Sequence, residues 1–415
     1  MTDPTPSEPH LEAHHHAAPM MPAATGPLVG LRVLDLTHAL AGPYGSLLLA
    51  DLGADVIKVE PPTGELVRFA GPFTRDDQER VYGSRYASRN RNKRSIALDL
   101  TDDADRETFL ELVETADALV ENHRAGVLDR LGVGWEVCQA RNPRLVYAAV
   151  RGFGDPRTGA SPYTEWPAFD PIAQAMGGIV VSTGTDEDNI VRAGPPIGDT
   201  VPGLMAALGV VSAILHAQRT GEGQFLDVAM VDAMISVSTE SLTQWSYTGR
   251  HQRPMGNSVD GNTPFDIYRS ADGHCAIAAP TTPQFRTLCE LIGRPELADD
   301  ERVRDMRQRV KNRDVMDGAI GSWAGRHTNA EIVEILGGHV PVGPVYAPRD
   351  WVHDPHVAAR EMLVAVEHPH HRPTLQPNCP IKFTATPAGI YRRPATLDEH
   401  GPELRAELAR RKAEG

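Results

Sequence analysis

Leu31-Arg32-Val33-Leu34-Asp35-Leu36, then Ala41-Gly42-Pro43 running into Leu47-Leu48-Leu49 and Leu52-Gly53, then Asp55-Val56-Ile57-Lys58-Val59-Glu60, decide the fold. The first run alternates apolar with polar residues, as a strand does, and the last reads as a second strand. The leucines between them form an apolar helix ending at Gly53, where glycine tolerates the left-handed turn that closes helices. Strand, helix and strand in such short order make a βαβ unit, which implies a parallel sheet covered by helices.

Working outward, the alternation continues. Arg94 to Leu100 reads as a strand, Asp103 to Thr115 as a helix, and Ala118 to Asn122 and Leu145 to Val150 as strands. Asp199 opens an apolar helix through Leu204, Ala207, Leu208, Val211 and Leu215, closed by Arg219-Thr220-Gly221, and Gln224 to Met230 is another strand. A different pattern follows. Phe265 to Tyr268 and His274 to Ala278 form a hairpin turning at Asp272-Gly273. Amphipathic helices follow near 284–293, 314–325 and 328–337, with another edge from Gly338 to Val345. A charged helix beyond Arg392 is expected to pack back on the first domain. The expectation is an α/β protein: a disordered tail (1–27), a large domain with a Rossmann-like parallel sheet (28–230), a linker (231–263), a small α+β domain (264–350), and a return to the large domain (351–415).

The 415 residues are 41% apolar and 23% charged, ordinary for a globular protein. A formal net charge of -14 argues against nucleic-acid binding, which needs a basic face, but leaves room for a small polyanion. Four cysteines stand far apart, so neither a zinc site nor a disulfide framework is expected, and a reducing cytoplasm fits. The absence of an uninterrupted apolar run of about 18 residues argues against membrane association. The first residues lack the order of a signal peptide. His14-His15-His16 reads as part of a solvated tail.

Common nucleotide motifs are missing. The first βα turn, Thr37-His38-Ala39-Leu40-Ala41-Gly42-Pro43, has no GxGxxG, so NAD is not expected. Walker and GxSxG signatures are also absent. Cations gather in Asn90-Arg91-Asn92-Lys93-Arg94-Ser95 and in His123, Arg124 and Arg130 after the strand ending at Asn122. Such groups form either a solvated surface or an anion site beyond the carboxyl ends of strands. Asp199, in Pro195-Pro196-Ile197-Gly198-Asp199-Thr200, either caps its helix or serves as a nucleophile kept ionised by the helix amides, which would also stabilise an oxyanion. Gly198 and Gly203 would let a ligand approach the backbone. Asp170, before Pro171, is a cap or turn residue or else handles ligand.

The ordered set Leu34-Asp35-Leu36-Thr37-His38, Ala41-Gly42-Pro43, Gly53 to Glu60, Asn92 to Ser95, Val120-Glu121-Asn122, Leu128 to Gly132, Asn142-Pro143, Ile197-Gly198-Asp199, Arg219 to Gln224 and Val340 to Tyr346 resembles the class III CoA-transferases, a family that includes α-methylacyl-CoA racemases. The resemblance covers Leu28 to Pro394. It implies that Asp199 is the catalytic aspartate and that Asn122, His123, Arg124, Arg130 and the stretch Leu98-Asp99-Leu100-Thr101 contact coenzyme A. It also implies an interlocked, ring-like homodimer acting on acyl-CoA and carboxylic acids. Leu40, Ala41, Phe169 and Asp170 are the substrate-site candidates.

Departures from the family pattern narrow the reading. Racemases carry His where Phe169 stands and an acid where Thr282 precedes Pro283-Gln284-Phe285, so proton exchange at an α-carbon loses both its acid and its base. Formyl-CoA transferases carry Gln where Leu40 stands and consecutive glycines where Gly256 to Asn262 lies, so a larger or more apolar acyl group is expected. The function implied is CoA transfer through an aspartyl anhydride and an aspartyl-CoA thioester, with coenzyme A as co-substrate and neither metal nor NAD. Racemisation is the runner-up, and non-catalytic CoA binding a third reading.

Overall fold

The computed structural model describes residues 17–414. The chain divides into two compact units. One comprises the described residues up to Ile179, Arg192–Gly249 and the chain from Val352 on; the other comprises Val180–Val191 and Arg250–Trp351.

The first unit is built on β1 (Arg32–Leu36), α1 (Ala41–Asp51), β2 (Asp55–Glu60), α2 (Ser84–Asn90), β3 (Arg94–Ala97), α3 (Asp103–Val113) and β4 (Ala118–Glu121). Then come α4 (Val127–Arg130), α5 (Trp135–Arg141), β5 (Val146–Arg151), α6 (Asp170–Met176), α7 (Ile197–Thr220), β6 (Phe225–Ala229), α8 (Met230–Val237) and α9 (Thr239–Thr248). The six strands pair in parallel in the order β3-β2-β1-β4-β5-β6, the order of doubly wound sheets.

Neighbouring residues on each strand serve opposite layers. Leu34, Ile57 and Leu119 face Phe109 and Leu112 of α3, whereas Val33, Val56 and Val120 face Leu49 of α1 and Val210 and Ile214 of α7. Helices on both faces explain why these strands are apolar almost throughout. The polar residues of β1 and β2 are buried too. Asp35 lies 2.8 Å from Lys93 Nζ and also accepts from Ser46, with Lys58 beside it. Burial pushes the Asp35 carboxyl up, but Lys58 and Lys93 outweigh this and hold it well below the usual range. Arg91 pairs with Asp51, and Arg94 with Asp55 and Glu407. The cationic run 90–95 is thus consumed by internal ion pairing, which decides against its role as an anion site.

The remaining local differences have local causes. β3 stops at Ala97, and Leu98 turns into the core beneath α3. Residues 17–27, expected in a disordered tail, run along the returning chain: Ala18 pairs with Leu363 and Ala365, and Met21 N–H donates to Ile390. The segment from Met230 to Thr248, largely expected to be linker, is helical as α8 and α9. α7 has the length and hydropathy (1.7) of a membrane span, which run-length counting missed. Ala206, Ala207, Val210, Ala213, Ile214 and Ala217 are buried along it.

In the second unit, β7 (Phe265–Arg269) and β8 (His274–Ala278) form the expected antiparallel hairpin. After α10 (Thr282–Leu291), α11 (Met306–Lys311), α12 (Arg313–Ala324) and α13 (Asn329–Leu336), β9 (Val342–Pro344) joins β8, and α14 (Pro348–Trp351) ends the unit. Phe285, Leu288, Ile320, Trp323 and Leu336 fill its core. Back in the first unit stand α15 (Pro355–Ala359), the hairpin of β10 (Leu363–Val366) and β11 (Thr374–Pro377), and α16 (Gly401–Glu414). Leu404 and Leu408 of α16 join the core beside α3, as a returning charged helix should.

Candidate active site

In a doubly wound sheet the chain leaves its two central strands in opposite directions, which opens a crevice beyond their carboxyl ends. Here those strands are β1 and β4. A cavity of about 320 Å³ lies there, lined by His38 to Ala41 after β1, Asn122 to Ala125 after β4, Arg151 and Gly152 at the end of β5, Thr164, Trp166 to Phe169, and Asp199 of α7.

Asp199 does not cap α7. The helix begins at Ile197 with Pro196 in the cap position, which places Asp199 in the first turn. Its carboxylate is half-buried and has no hydrogen bond or ion pair among the described residues. The expectation that helix amides would keep it ionised is corrected: burial, then the nearby Asp170 charge, push it up to about 6, against a smaller opposing pull from Arg89. Those amides are also spoken for. Ile197 N–H donates to Pro195, Gly198 N–H to the Asp170 carboxylate at 2.9 Å, and Asp199 and Thr200 N–H to Pro196. They are not free to hold an oxyanion. α1 begins at this cavity on Ala41, and no side chain caps it.

The glycines serve packing. A Cβ on Gly198 would meet the Asp170 carbonyl oxygen at 2.5 Å, and one on Gly203 would meet that of Ala41 at 2.5 Å. They bring α6 and α1 against α7, so ligand approach is not their task. Asp170 is buried and also accepts from Gln174 at 2.8 Å, which makes it the organiser of this corner.

The β1 and β4 loops are clamped together. Asn122 accepts the His38 N–H and returns its amide to the His38 carbonyl, each at 2.8 Å. Both ends of this side chain are therefore committed to backbone. His38 and His123 stand 5.0 Å apart between ring centroids. Burial, then His38, push His123 down to about 4, so near neutrality it is an uncharged ring bonded to Leu36 O and not a cation. Arg151 lines the cavity, but Glu121 and the His123 carbonyl hold its guanidinium. Arg124 and Arg130 differ: both are exposed, and their side chains have neither ion pair nor hydrogen bond among the described residues.

Of the substrate candidates, Leu40, Ala41 and Phe169 line the cavity; Asp170 is not among its lining residues and acts on Asp199 through its charge. Phe169 is 63% exposed and Trp166 57%, an apolar rim suited to an acyl chain. Leu98, Asp99, Leu100 and Thr101 are not brought into the cavity. Leu98 faces the core, and Asp99 accepts from Thr101 within its own turn, beyond the edge strand β3. Sequence reasoning missed Trp166, Arg89 and the part played by His38. Only His38 had a signal, its place in the first βα turn.

An unpartnered carboxylate and the unpaired Arg124 thus share a cavity at the switch point of a doubly wound sheet, where such folds bind ligands. The sequence model of CoA-transferase family III matches residues 28–401, and the chain belongs to that family of enzymes. It is 43% identical to the succinyl-CoA:mesaconate CoA-transferase of Haloarcula hispanica, over 91% of this chain and 96% of that one. It is 38% identical to the acetyl-CoA:oxalate CoA-transferase of Acetobacter aceti, over 92% and 96%. The crystal structure of a CAIB/BAIF family protein from Brucella suis superposes with a TM-score of 0.83 at 34% identity, over 92% of this chain and 100% of that one.

Proposed function

We propose that this CoA-transferase moves CoA from succinyl-CoA, or a similar acyl-CoA, to a dicarboxylic acid of the mesaconate kind, with Asp199 as nucleophile. The observation that carries the reading is the unpartnered Asp199 carboxylate facing the cavity. The substrate class follows the Haloarcula relative.

An Asp199 oxygen attacks the thioester carbonyl; the C–S bond breaks, leaving an acyl-aspartyl anhydride and CoA thiolate. The thiolate attacks the aspartyl carbonyl, frees the donor acid and forms an aspartyl-CoA thioester. The acceptor carboxylate then reverses both steps. One thioester and one carboxylate enter and one of each leaves, so the exchange balances without a redox partner, NAD, ATP or net proton transfer, and covalent catalysis divides it into easier steps. The uncapped start of α1 would receive the developing oxyanion. Arg124 and Arg130 would hold CoA phosphates, and Trp166 and Phe169 the acyl chain.

The reading includes a homodimer, supported by the outward apolar row Leu204, Leu208 and Leu215 of α7, 54%, 68% and 48% exposed. It places the enzyme in the cytoplasm, in keeping with four buried, unbridged cysteines. The test incubates the protein with succinyl-CoA and other acyl-CoAs, with and without mesaconate, followed by peptide mass analysis. A CoA adduct on the Asp199 peptide that is lost in Asp199→Ala is expected. Unchanged turnover in that variant would refute the mechanism.

A further inference from the structure

Away from the cavity, the run His368-Pro369-His370-His371 forms the tip of the β10–β11 hairpin, on the same unit as the segment preceding α2. Asp77 from that segment meets His368 and His371 there, with one ligand-type atom of each residue within 4.8 Å of the others. Pro72, Phe73, Tyr82 and Gln376 wall the surrounding cavity.

The His368 ring packs edge-on against Tyr82 at 4.5 Å, and His370 lies 3.3 Å from Glu79, so the hairpin tip already rests on this segment; Asp77 takes no part in that contact. No ion pair of 4 Å or less joins Asp77 to either ring among the described residues. His368 and His371 stack with centroids 3.4 Å apart and planes 9° from parallel. The Nε2 atom of His368 and Oε1 of Gln376 are buried without a hydrogen-bond partner, a costly condition for polar atoms.

The existing bonds leave a lone pair for a ligand on two of the three residues. His371 Nδ1 contacts Arg372 O at 2.7 Å, which puts the proton on Nδ1 and leaves a lone pair on Nε2, the arrangement found in metal-binding histidines. One Asp77 oxygen accepts the Arg80 N–H at 2.8 Å and the other remains available. His368 Nδ1 accepts a long contact of 3.2 Å from His370 N–H, which ligation through Nε2 would give up.

We infer that Asp77, His368 and His371 bind one divalent transition-metal ion of the zinc class, fastening the β10–β11 hairpin to the segment before α2. Two imidazoles and a carboxylate suit zinc, with water as a fourth ligand. Bond lengths near 2.1 Å place tetrahedral ligand atoms about 3.4 Å apart. Ligation therefore requires the three side chains to draw together from the present spread and the two rings to tilt out of their stack. The site departs from the expectation of no metal, which rested on cysteine spacing. It takes no part in acyl exchange and stands independently of the proposed function.

The test uses the full chain with His10, His14, His15 and His16 replaced by alanine, which removes the competing histidines of the N-terminal segment. After chelation and desalting, Zn²⁺ is titrated calorimetrically, and Co²⁺ binding is followed by its visible absorption. One equivalent is expected, with a tetrahedral cobalt spectrum and a raised Tm. Asp77→Asn keeps the oxygen that accepts from Arg80, and His371→Gln spares the His368 contact with Tyr82, so both should fold. Each should weaken Zn²⁺ beyond the roughly 10–100-fold cost of losing an outer-shell partner. Absence of stoichiometric binding in the histidine-substituted chain, or unchanged affinity in folded Asp77→Asn and His371→Gln, would overturn the site.

Discussion

The Asp170 carboxylate accepts the Gly198 N–H at 2.9 Å, so one acid anchors the turn that presents another, Asp199, to the cavity. Asp170→Asn keeps an acceptor for Gly198 but removes the neighbouring charge that helps hold Asp199 up. The acid limb of the kcat/KM profile should therefore move to lower pH. Stability should fall by about 1 kcal/mol, because the new amide cannot accept both Gln174 contacts. A pH–rate series on wild type and variant checks this; an unmoved acid limb would disconnect the two carboxylates.

Asp199→Asn should lower transfer by at least about a thousandfold, as losing a nucleophile does. It should also stabilise the protein at neutral pH. The folded-state value, about 6, lies above the ordinary 3.8, so the unfolded chain releases this proton first and the carboxylate costs stability as pH rises through that interval. Removing the charge should gain on the order of 3 kcal/mol at about pH 7.5 and almost nothing near about pH 3. Paired urea titrations measure the difference.

Asn122→Ala removes both bonds of the His38 clamp. A loss of about 2 kcal/mol is expected, together with lower kcat/KM, because Leu40 and Ala41 follow directly from that loop. Asn122→Asp retains the acceptor for His38 N–H and should recover part of the stability. Equal losses in both variants would show that the clamp's acceptor half contributes nothing.

Arg124→Gln and Arg130→Gln should each raise KM for the acyl-CoA roughly tenfold and leave kcat nearly unchanged, since a charge-assisted bond to phosphate contributes about 1.5–3 kcal/mol. The effect should shrink as salt screens the wild-type contacts. Steady-state kinetics at two ionic strengths would show it; a fall in kcat with unchanged KM would place these arginines elsewhere in the cycle.

Much of this was legible in the chain. The βαβ opening, the hairpin at 265–278 and the returning terminal helix follow from apolar period and glycine punctuation, both local properties. The limits of local reading are equally specific. Lys93 and Arg91 look like ligand-binding cations in sequence, yet Asp35 and Asp51 neutralise them inside the fold. His123 sits in a cationic-looking stretch, and its burial leaves it neutral. Trp166 and Arg89 carry no motif, and only their placement brings them into the account.

By itself the sequence determined the alternation of strands and helices, and the ordered motifs that mark the family, because both are written in neighbouring residues. Tertiary structure alone decided which acid faces the cavity without a partner, which of the glycines let helices touch, and which cations were already paired. Those properties depend on distance and dehydration between residues far apart in the chain, and a strand order that sets β1 beside β4 creates them only once the sheet has closed.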